Sequence, residues 1–173
     1  MLERASELAQ RLRVLVLAPQ TINLLIGGPD FRRRFLNWGV FHVEPGFRKA
    51  WEDGKRCLYQ RNKLLKAAAL SQRDLEIWSA EFARLSEIIH GYRAKYMCAF
   101  RQSFHEGIGI TGIADVEVSY EPGWNIESPL GEELAAAQAS DIKRGFTSKG
   151  FHRADLAVTV DRRDDSSFCS RGE

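Results

Sequence analysis

The sequence predicts an α+β fold in which a long antiparallel helical hairpin is flanked by segments that carry short strands. Two apolar series favour the hairpin: one repeats every seven residues, and the other alternates spacings of three and four. Short alternating runs outside the hairpin favour the strands. The length of 173 residues, with 44% hydrophobic and 28% charged residues, is typical of one globular domain or one domain with an insertion.

The first segment, residues 1–44, combines a short amphipathic helix at residues 2–13 with an apolar run at residues 14–17 that predicts a buried strand. The turn-forming sequence Gly27-Gly28-Pro29-Asp30 follows, and proline suits the first position of a helix. The helix after it is expected to place three large apolar side chains on one face, those of Phe31, Phe35 and Trp38. Its three arginines, Arg32, Arg33 and Arg34, are expected to project from other sides of the helix.

Residues 45–107 carry the hairpin. Its first helix is predicted from about Phe47 to Leu70, where Trp51, Leu58 and Leu65 recur every seven residues. Ser71 is a predicted N-cap for the second helix, with Asp74 three residues further on. An uninterrupted apolar seam then follows at Leu75, Trp78, Phe82, Leu85, Ile89, Tyr92 and Tyr96. Glycines at 107, 109 and 112 are expected to end the helical region.

The third segment, residues 108–173, is expected to return to the part of the fold that holds the first one. Val116–Tyr120 alternates as a half-buried strand does, and residues 130–143 suit a helix. Gly145 and Gly150 bound a polar loop, and Ala154–Val160 alternates again.

Charge is balanced over the whole chain but not along it. The formal net charge is +2, yet the segment from Phe47 to Arg73 holds eight basic residues and two acidic ones. Such local asymmetry can attract a polyanion, although a solvated helix face explains it equally well. The basic residues are Arg48, Lys49, Lys55, Arg56, Arg61, Lys63, Lys66 and Arg73, and the acidic ones are Glu52 and Asp53.

A self-contained catalytic site is not predicted. The chain has no phosphate-binding loop of the type G-x-x-x-x-G-K-[ST], no H-E-x-x-H and no G-x-S-x-G. The glycines at 107, 109 and 112 follow a helix and precede a strand, which is the wrong order for a dinucleotide site. A hydrolase built on His152, Asp155 and Thr147 lacks an activated nucleophile. Three dispersed cysteines argue against a zinc site or a disulfide scaffold, so no metal site is expected.

The cellular compartment of the protein can also be predicted, from the apolar runs, the first residues and the cysteines. The apolar run at residues 14–18 is too short to cross a bilayer, and the first residues lack the layout of a signal peptide. The sparse cysteines suit a reducing environment. We therefore expect a cytoplasmic protein that does not bind membranes.

Specific motifs resemble the RecF family of bacterial DNA replication and repair proteins. Residues 19–39 are similar to the family's G-G-P-x-x-R-R signature, residues 145–156 to a second motif, and Ser170-Arg171-Gly172-Glu173 to the ABC-type signature. The resemblance covers nearly the whole chain. Phe151 stands where the family usually has proline.

The resemblance implies an ATPase head related to the ABC and SMC families, of which this chain's strands would form part. Family members bind DNA and ATP with magnesium, dimerise on ATP, and load recombinase at gaps together with RecO and RecR. Their phosphate-binding loop precedes the matched region and their acidic metal-binding strand follows it. The chain therefore resembles an internal part of the protein, expected to hold neither ATP nor magnesium alone and to be inactive by itself. By resemblance, Ser170 and Gly172 would touch the nucleotide of the opposite subunit.

The favoured hypothesis is a DNA-binding part of such a protein. Arginine and lysine side chains bind phosphate oxygens without sequence choice. The expected contacts are Arg32, Arg33, Arg34, Lys55, Arg56, Arg61 and Lys63. His152, Arg153 and Asp155 are expected at the surface of the head that faces the dimer partner or the nucleotide, with a structural pair as the alternative. Two further alternatives stay open: the arginine triplet anchors the hairpin through carboxylates, or the hairpin is a protein-interaction module that binds neither DNA nor nucleotide.

Overall fold

A computed structural model describes residues 23–67, 69–111, 116–160 and 163–164. The described residues are mostly helical with a small sheet, which confirms the α+β class. The helices are α1 (Asn23–Ile26), α2 (Pro29–Val43), α3 (Phe47–Leu65), α4 (Gln72–Thr111) and α5 (Leu130–Arg144), with a 3₁₀ turn at Phe151–Arg153. The strands are β1 (Val116–Glu121), β2 (Asp155–Val160) and β3 (Arg163–Asp164). The predictions for residues 2–13 and 14–17 lie outside the described residues.

The sheet has the strand order β1-β2-β3. Strands β2 and β3 are antiparallel, with Thr159 opposite Asp164 and Val160 opposite Arg163. Both longer strands lie within a residue of where the alternation of apolar residues predicted them.

The chain divides into two compact units. One unit holds Gly46–Lys95 together with Tyr120–Asp155, and the other holds the described parts of residues 1–45, 96–119 and 156–173. Tyr120–Asp155 thus groups with the hairpin, whereas we expected residues 108–173 to return as one segment to the head.

Helix α2 begins at Pro29, as the sequence predicts. Its buried residues are Leu36, Gly39 and Val40. Phe35 is half-buried and contacts Phe100 edge to face at 6.0 Å, whereas Phe31 is 45% exposed, so the predicted apolar face is only partly buried. A Cβ atom at Gly39 would lie 2.2 Å from the hydroxyl oxygen of Tyr96. The absence of a side chain lets the tyrosine ring approach this face of the helix.

The hairpin is formed by α3 and the first half of α4. Ser71 caps α4 as predicted, since its hydroxyl accepts a hydrogen bond of 3.3 Å from the Asp74 amide. The rings of Phe47 and Tyr92 contact edge to face at 6.2 Å, and the Cys57 thiol donates to the Trp78 carbonyl at 3.4 Å. The earlier residue of α3 thus contacts the later residue of α4, which makes the hairpin antiparallel.

Two details of the hairpin differ from the sequence predictions. Helix α4 continues to Thr111, so Gly107 does not end it. Nothing lies near the position of a Gly107 Cβ, and an exposed helical glycine costs only about 1 kcal/mol. Helix α3 ends at Leu65, earlier than predicted, and its buried stripe follows other positions than the heptad of Trp51 and Leu58. The stripe consists of Phe47, Ala50, Gly54, Cys57, Arg61 and Leu65.

Gly54 permits close packing in the middle of this stripe. A Cβ atom at Gly54 would lie 3.0 Å from the Ile89 side chain and 3.1 Å from the ring of Phe151. Phe151 is buried and packs its ring 5.7 Å from that of Phe82. Phe151 is therefore part of the core of this unit.

Helix α5 ends at Gly145, which adopts the left-handed conformation at φ 71°. Its amide donates hydrogen bonds to the carbonyls of Asp141 and Ile142 at 2.7 and 3.2 Å. Within the described residues, no helix has the length and apolar character needed to span a membrane.

Candidate nucleic-acid interface

The side of α3 opposite its buried stripe faces water and is rich in positive charge. We call Lys55, Arg56, Tyr59 and Lys63 the basic face; all four side chains are exposed. Their spacing of one, three and four residues keeps them on one side of the helix over about two turns. The pattern follows from packing, since the buried residues of α3 all lie on the opposite side of the helix.

Acidic neighbours neutralise only part of the charge on α3. Arg48 pairs with Glu52 at 3.0 Å, and Asp53 lies 3.1 Å from Lys49 and 3.9 Å from Arg56. The Lys55 ammonium instead lies 3.6 Å from the centroid of the Trp51 ring. Across the part of the chain that the structure describes, no carboxylate forms an ion pair with Lys55 or Lys63. The basic face thus keeps charge available for an anion.

Arg61 does not belong to this face, which corrects the sequence prediction. Its side chain is 0% exposed and forms an ion pair of 3.0 Å with Asp141, which is equally buried. Its guanidinium also donates to the Thr147 hydroxyl at 2.6 Å and to the Ser79 hydroxyl at 2.9 Å. A buried guanidinium that is bonded to a carboxylate cannot reach a phosphate of DNA.

The Arg61 cluster holds the loop after α5 against the hairpin. Asn62 accepts hydrogen bonds from both the amide and the hydroxyl of Thr147, at 2.8 and 2.7 Å. The second carboxylate oxygen of Asp141 accepts from the Ser148 amide at 3.1 Å. Asp141 was not among the predicted site residues, although it lies seven residues after the buried Leu134 and so on the same face of α5. This spacing is the signal in the sequence that could have identified it.

The arginine triplet lies at the start of α2, in the other compact unit. Arg32 donates to the Gly27 carbonyl at 2.7 Å, and Arg33 pairs with Asp30 at 2.5 Å. Arg33 thereby lowers the pKa of the Asp30 carboxyl. Arg34 is exposed, with its guanidinium carbon 5.9 Å from the centroid of the Phe31 ring. Within the triplet, Arg34 presents the most accessible guanidinium, and the DNA contact of all three arginines stays a prediction.

Comparison with curated proteins finds the same family repeatedly. The chain is 38% identical over 173 residues to the DNA replication and repair protein RecF of Pseudoalteromonas translucida, and 36% identical over 176 residues to that of Hahella chejuensis. The two alignments cover 98% and 97% of this chain. RecF proteins are therefore homologous to nearly the whole of this chain. The chain spans about half the length of the curated relatives that it matches, 48% and 47%.

A solved structure shares the fold. The structure described as the recombination mediator protein RecF-ATP in the RecFOR pathway superimposes with a TM-score of 0.82 at 21% identity. The match covers 90% of this chain and 45% of the other. A second structure, of RecF-ATPrS, gives the same values. No family model matches the chain.

The second RecF-like motif holds His152, Arg153 and Asp155. A ring nitrogen of His152 lies 3.0 Å from the Thr147 carbonyl, and the Arg153 guanidinium contacts the same carbonyl at 3.4 Å. Arg153 also lies over the Phe146 ring at 5.2 Å, while Asp155 is half-buried at the start of β2. The role of these residues at a head surface stays a prediction.

Thr147, one of the three residues of the hydrolase hypothesis, has its hydroxyl buried between Arg61 and Asn62 and bonded to both. In this arrangement the hydroxyl is not open to a substrate. Ser170 and Gly172 lie outside the described residues. Among the described residues, no three His, Cys, Asp or Glu side chains are grouped as a metal site requires.

Proposed function

We propose that this chain is a DNA-binding part of a RecF-type DNA replication and repair protein. The observation that carries the proposal is the basic face of α3, where Lys55 and Lys63 are exposed and no described carboxylate pairs with them. Such a surface binds phosphates of the DNA backbone and supplies affinity without sequence choice. The exposed Arg34 is a second proposed contact, located in the other unit.

The whole protein's activity is proposed from its relatives. We infer that it binds ATP with magnesium, dimerises on ATP and acts as a weak DNA-dependent ATPase. Its partners are RecO and RecR, with which it loads recombinase on damaged DNA. In that assembly Ser170 and Gly172 contact the γ-phosphate held by the opposite subunit, and His152, Arg153 and Asp155 lie near the facing surface. The names of the relatives and the RecFOR pathway of the solved structures support this proposal.

Fluorescence anisotropy with labelled gapped DNA tests the DNA binding. The 173-residue chain is titrated between about 50 and 200 mM salt, with folding checked by circular dichroism. The test variant replaces Lys55, Arg56 and Lys63 by serine. The matched control replaces Arg48, Lys49 and Arg84 by serine and so removes the same total charge. These three side chains pair with Glu52, Asp53 and Glu81 respectively.

The basic-face variant should lose about tenfold or more in affinity, and the slope of log K against log salt should fall by about one unit per lost phosphate contact. The control variant should change affinity for DNA by less than about threefold, because the side chains that it replaces already form ion pairs with carboxylates. Equal losses in both variants would show that only net charge matters, and would contradict the assignment of α3.

A protein-interaction module is the second candidate. Ile77 and Ile88 are exposed on α4, eleven residues and therefore three turns apart on one side of the helix. Self-association that survives high salt in analytical ultracentrifugation, together with no DNA binding, would favour this candidate over the first.

A further inference from the structure

We propose that Asn62 is a positioning residue for the second RecF-like motif: through Thr147 it fixes the directions of the His152 and Arg153 side chains. The inference rests on the proposed function only for the place of those two side chains near the opposite subunit. It deepens that function by assigning the group that holds them.

The loop after α5 is held by side chains from other elements. Residues 145–150 contain neither helix nor strand, so their backbone groups need partners elsewhere. The Thr147 amide donates to Asn62 on α3 at 2.8 Å, and the Ser148 amide donates to Asp141 on α5 at 3.1 Å. A loop whose amides bond only to water is usually mobile, whereas two amides of this loop are bonded to residues of long helices.

Asn62 makes two hydrogen bonds to a single residue. Its side-chain oxygen accepts from the amide of Thr147 and, at 2.7 Å, from the Thr147 hydroxyl. The hydroxyl accepts in turn from the Arg61 guanidinium at 2.6 Å, and Thr147 is only 1% exposed. Asparagine is a poor residue for a helix interior, because its side chain competes for backbone hydrogen bonds. The stability of α3 itself therefore does not favour Asn62, and its bonds to Thr147 do.

The Thr147 carbonyl transmits this constraint to the motif. It accepts from Nε2 of His152 at 3.0 Å and from the Arg153 guanidinium at 3.4 Å. A carbonyl oxygen has two lone pairs and only accepts, so Nε2 of His152 must carry a proton. The Arg153 guanidinium also lies 5.2 Å from the centroid of the Phe146 ring. Both side chains of the motif thus depend on one carbonyl group.

The direction of the exposed Arg153 is therefore set from α3 and not only by its own 3₁₀ turn. A long side chain loses rotamer entropy when it binds a partner or an anion. A guanidinium that is already held in one direction loses less of this entropy, so it binds more tightly for the same contacts. Asn62 supplies this advantage without contacting the bound group.

Hydrogen exchange, measured by NMR on the 173-residue chain without nucleotide or DNA, tests the link. In the unchanged chain, the Nε2 proton of His152 and the Thr147 amide should both exchange slowly. Asn62→Leu removes the acceptor and should speed the exchange of both protons by about tenfold or more. Asn62→Asp keeps an acceptor oxygen and should keep the exchange slow. Ser148→Ala is the matched control in the same loop, because it keeps the amide bond to Asp141.

The amide of Ile89, a buried residue of the same unit, distinguishes a local effect from a general loss of stability. It should exchange equally in Asn62→Leu and in the unchanged chain. If it accelerates as much as the His152 proton, Asn62 only stabilises the fold and the positioning role is overturned. The link through the Thr147 carbonyl is overturned if the His152 proton exchanges rapidly in the unchanged chain, or if Asn62→Leu accelerates the Thr147 amide alone. Failure of DNA or ATP binding would contradict the proposed function and leave these exchange rates unchanged.

Discussion

Arg61 and Asp141 form an ion pair of 3.0 Å between side chains that are both completely buried. The two residues are 80 positions apart in the chain, so the pair joins helix α3 to helix α5. Breaking a buried pair leaves one uncompensated charge inside the protein, which costs far more than the loss of an exposed pair.

We expect Arg61→Met to lower the free energy of unfolding by about 3–5 kcal/mol. The corresponding fall in melting temperature is roughly 10 °C for a chain of this size, measured by circular dichroism. Arg48→Met is the control, because Arg48 pairs with Glu52 at the surface, and it should change stability by less than about 1 kcal/mol. The double variant Arg61→Met/Asp141→Leu should regain much of the loss. A melt of Arg61→Met that matches the unchanged chain would refute a stabilising role for the pair.

Two glycine substitutions should have opposite effects on stability. Gly39→Ala places a Cβ atom 2.2 Å from the Tyr96 hydroxyl and should destabilise the fold by about 1–3 kcal/mol. Gly91→Ala, in an exposed part of α4 with nothing near the new atom, should stabilise it by about 1 kcal/mol. Urea unfolding measures both. Tyr96→Val should relieve the clash in the Gly39→Ala background, and failure of that rescue would point to another cause.

The two described cysteines should differ in reactivity. Burial raises the pKa of the Cys57 thiol to about 12, and its Sγ donates to the Trp78 carbonyl, whereas Cys98 is exposed. Iodoacetamide at about pH 8 should therefore alkylate Cys98 and leave Cys57 unmodified until the chain is unfolded, because the thiolate is the reactive form. Peptide mass spectrometry separates the two sites. Rapid labelling of Cys57 in the folded chain would show that this part of the hairpin opens readily.

His90 should make stability depend on pH. Burial, with a smaller effect of the nearby Arg93, lowers the pKa of its imidazole below 6.5, and Glu87 opposes this shift. The folded state thus favours the neutral ring, which stacks on Tyr120 at 5.6 Å. The contribution to stability is present above about pH 6.5 and is lost as the pH falls through the lower folded value. An NMR titration, assigned with His90→Gln, measures the pKa directly, and a midpoint at or above 6.5 would contradict the shift.

Much of the hairpin could be predicted because its signals are local. The seam of α4 buries Leu75, Phe82, Leu85 and Ile89, and Ser71 caps the helix as its spacing to Asp74 indicates. The ends of both long helices could not be predicted as well, because Gly107 tolerates a helix and nothing in the sequence near Leu65 forces one to stop.

The candidate site could be predicted only in part. Exposure of Lys55, Arg56 and Lys63 follows from their position opposite the apolar stripe, but charge alone also suggested Arg61. Its burial depends on Asp141 and Thr147, which lie more than 79 positions away in the sequence. Local periodicity carries no information about a partner so distant.

The contact between Gly54 and the ring of Phe151 has an evolutionary consequence. The ring and the Ile89 side chain together occupy the space that a side chain at position 54 would need. A smaller residue at position 151 would free that space on one side only, because Ile89 would still lie 3.0 Å from a Cβ atom at position 54. Positions 54, 89 and 151 should therefore restrict one another in evolution, so that a larger residue at position 54 requires smaller ones at both of the others.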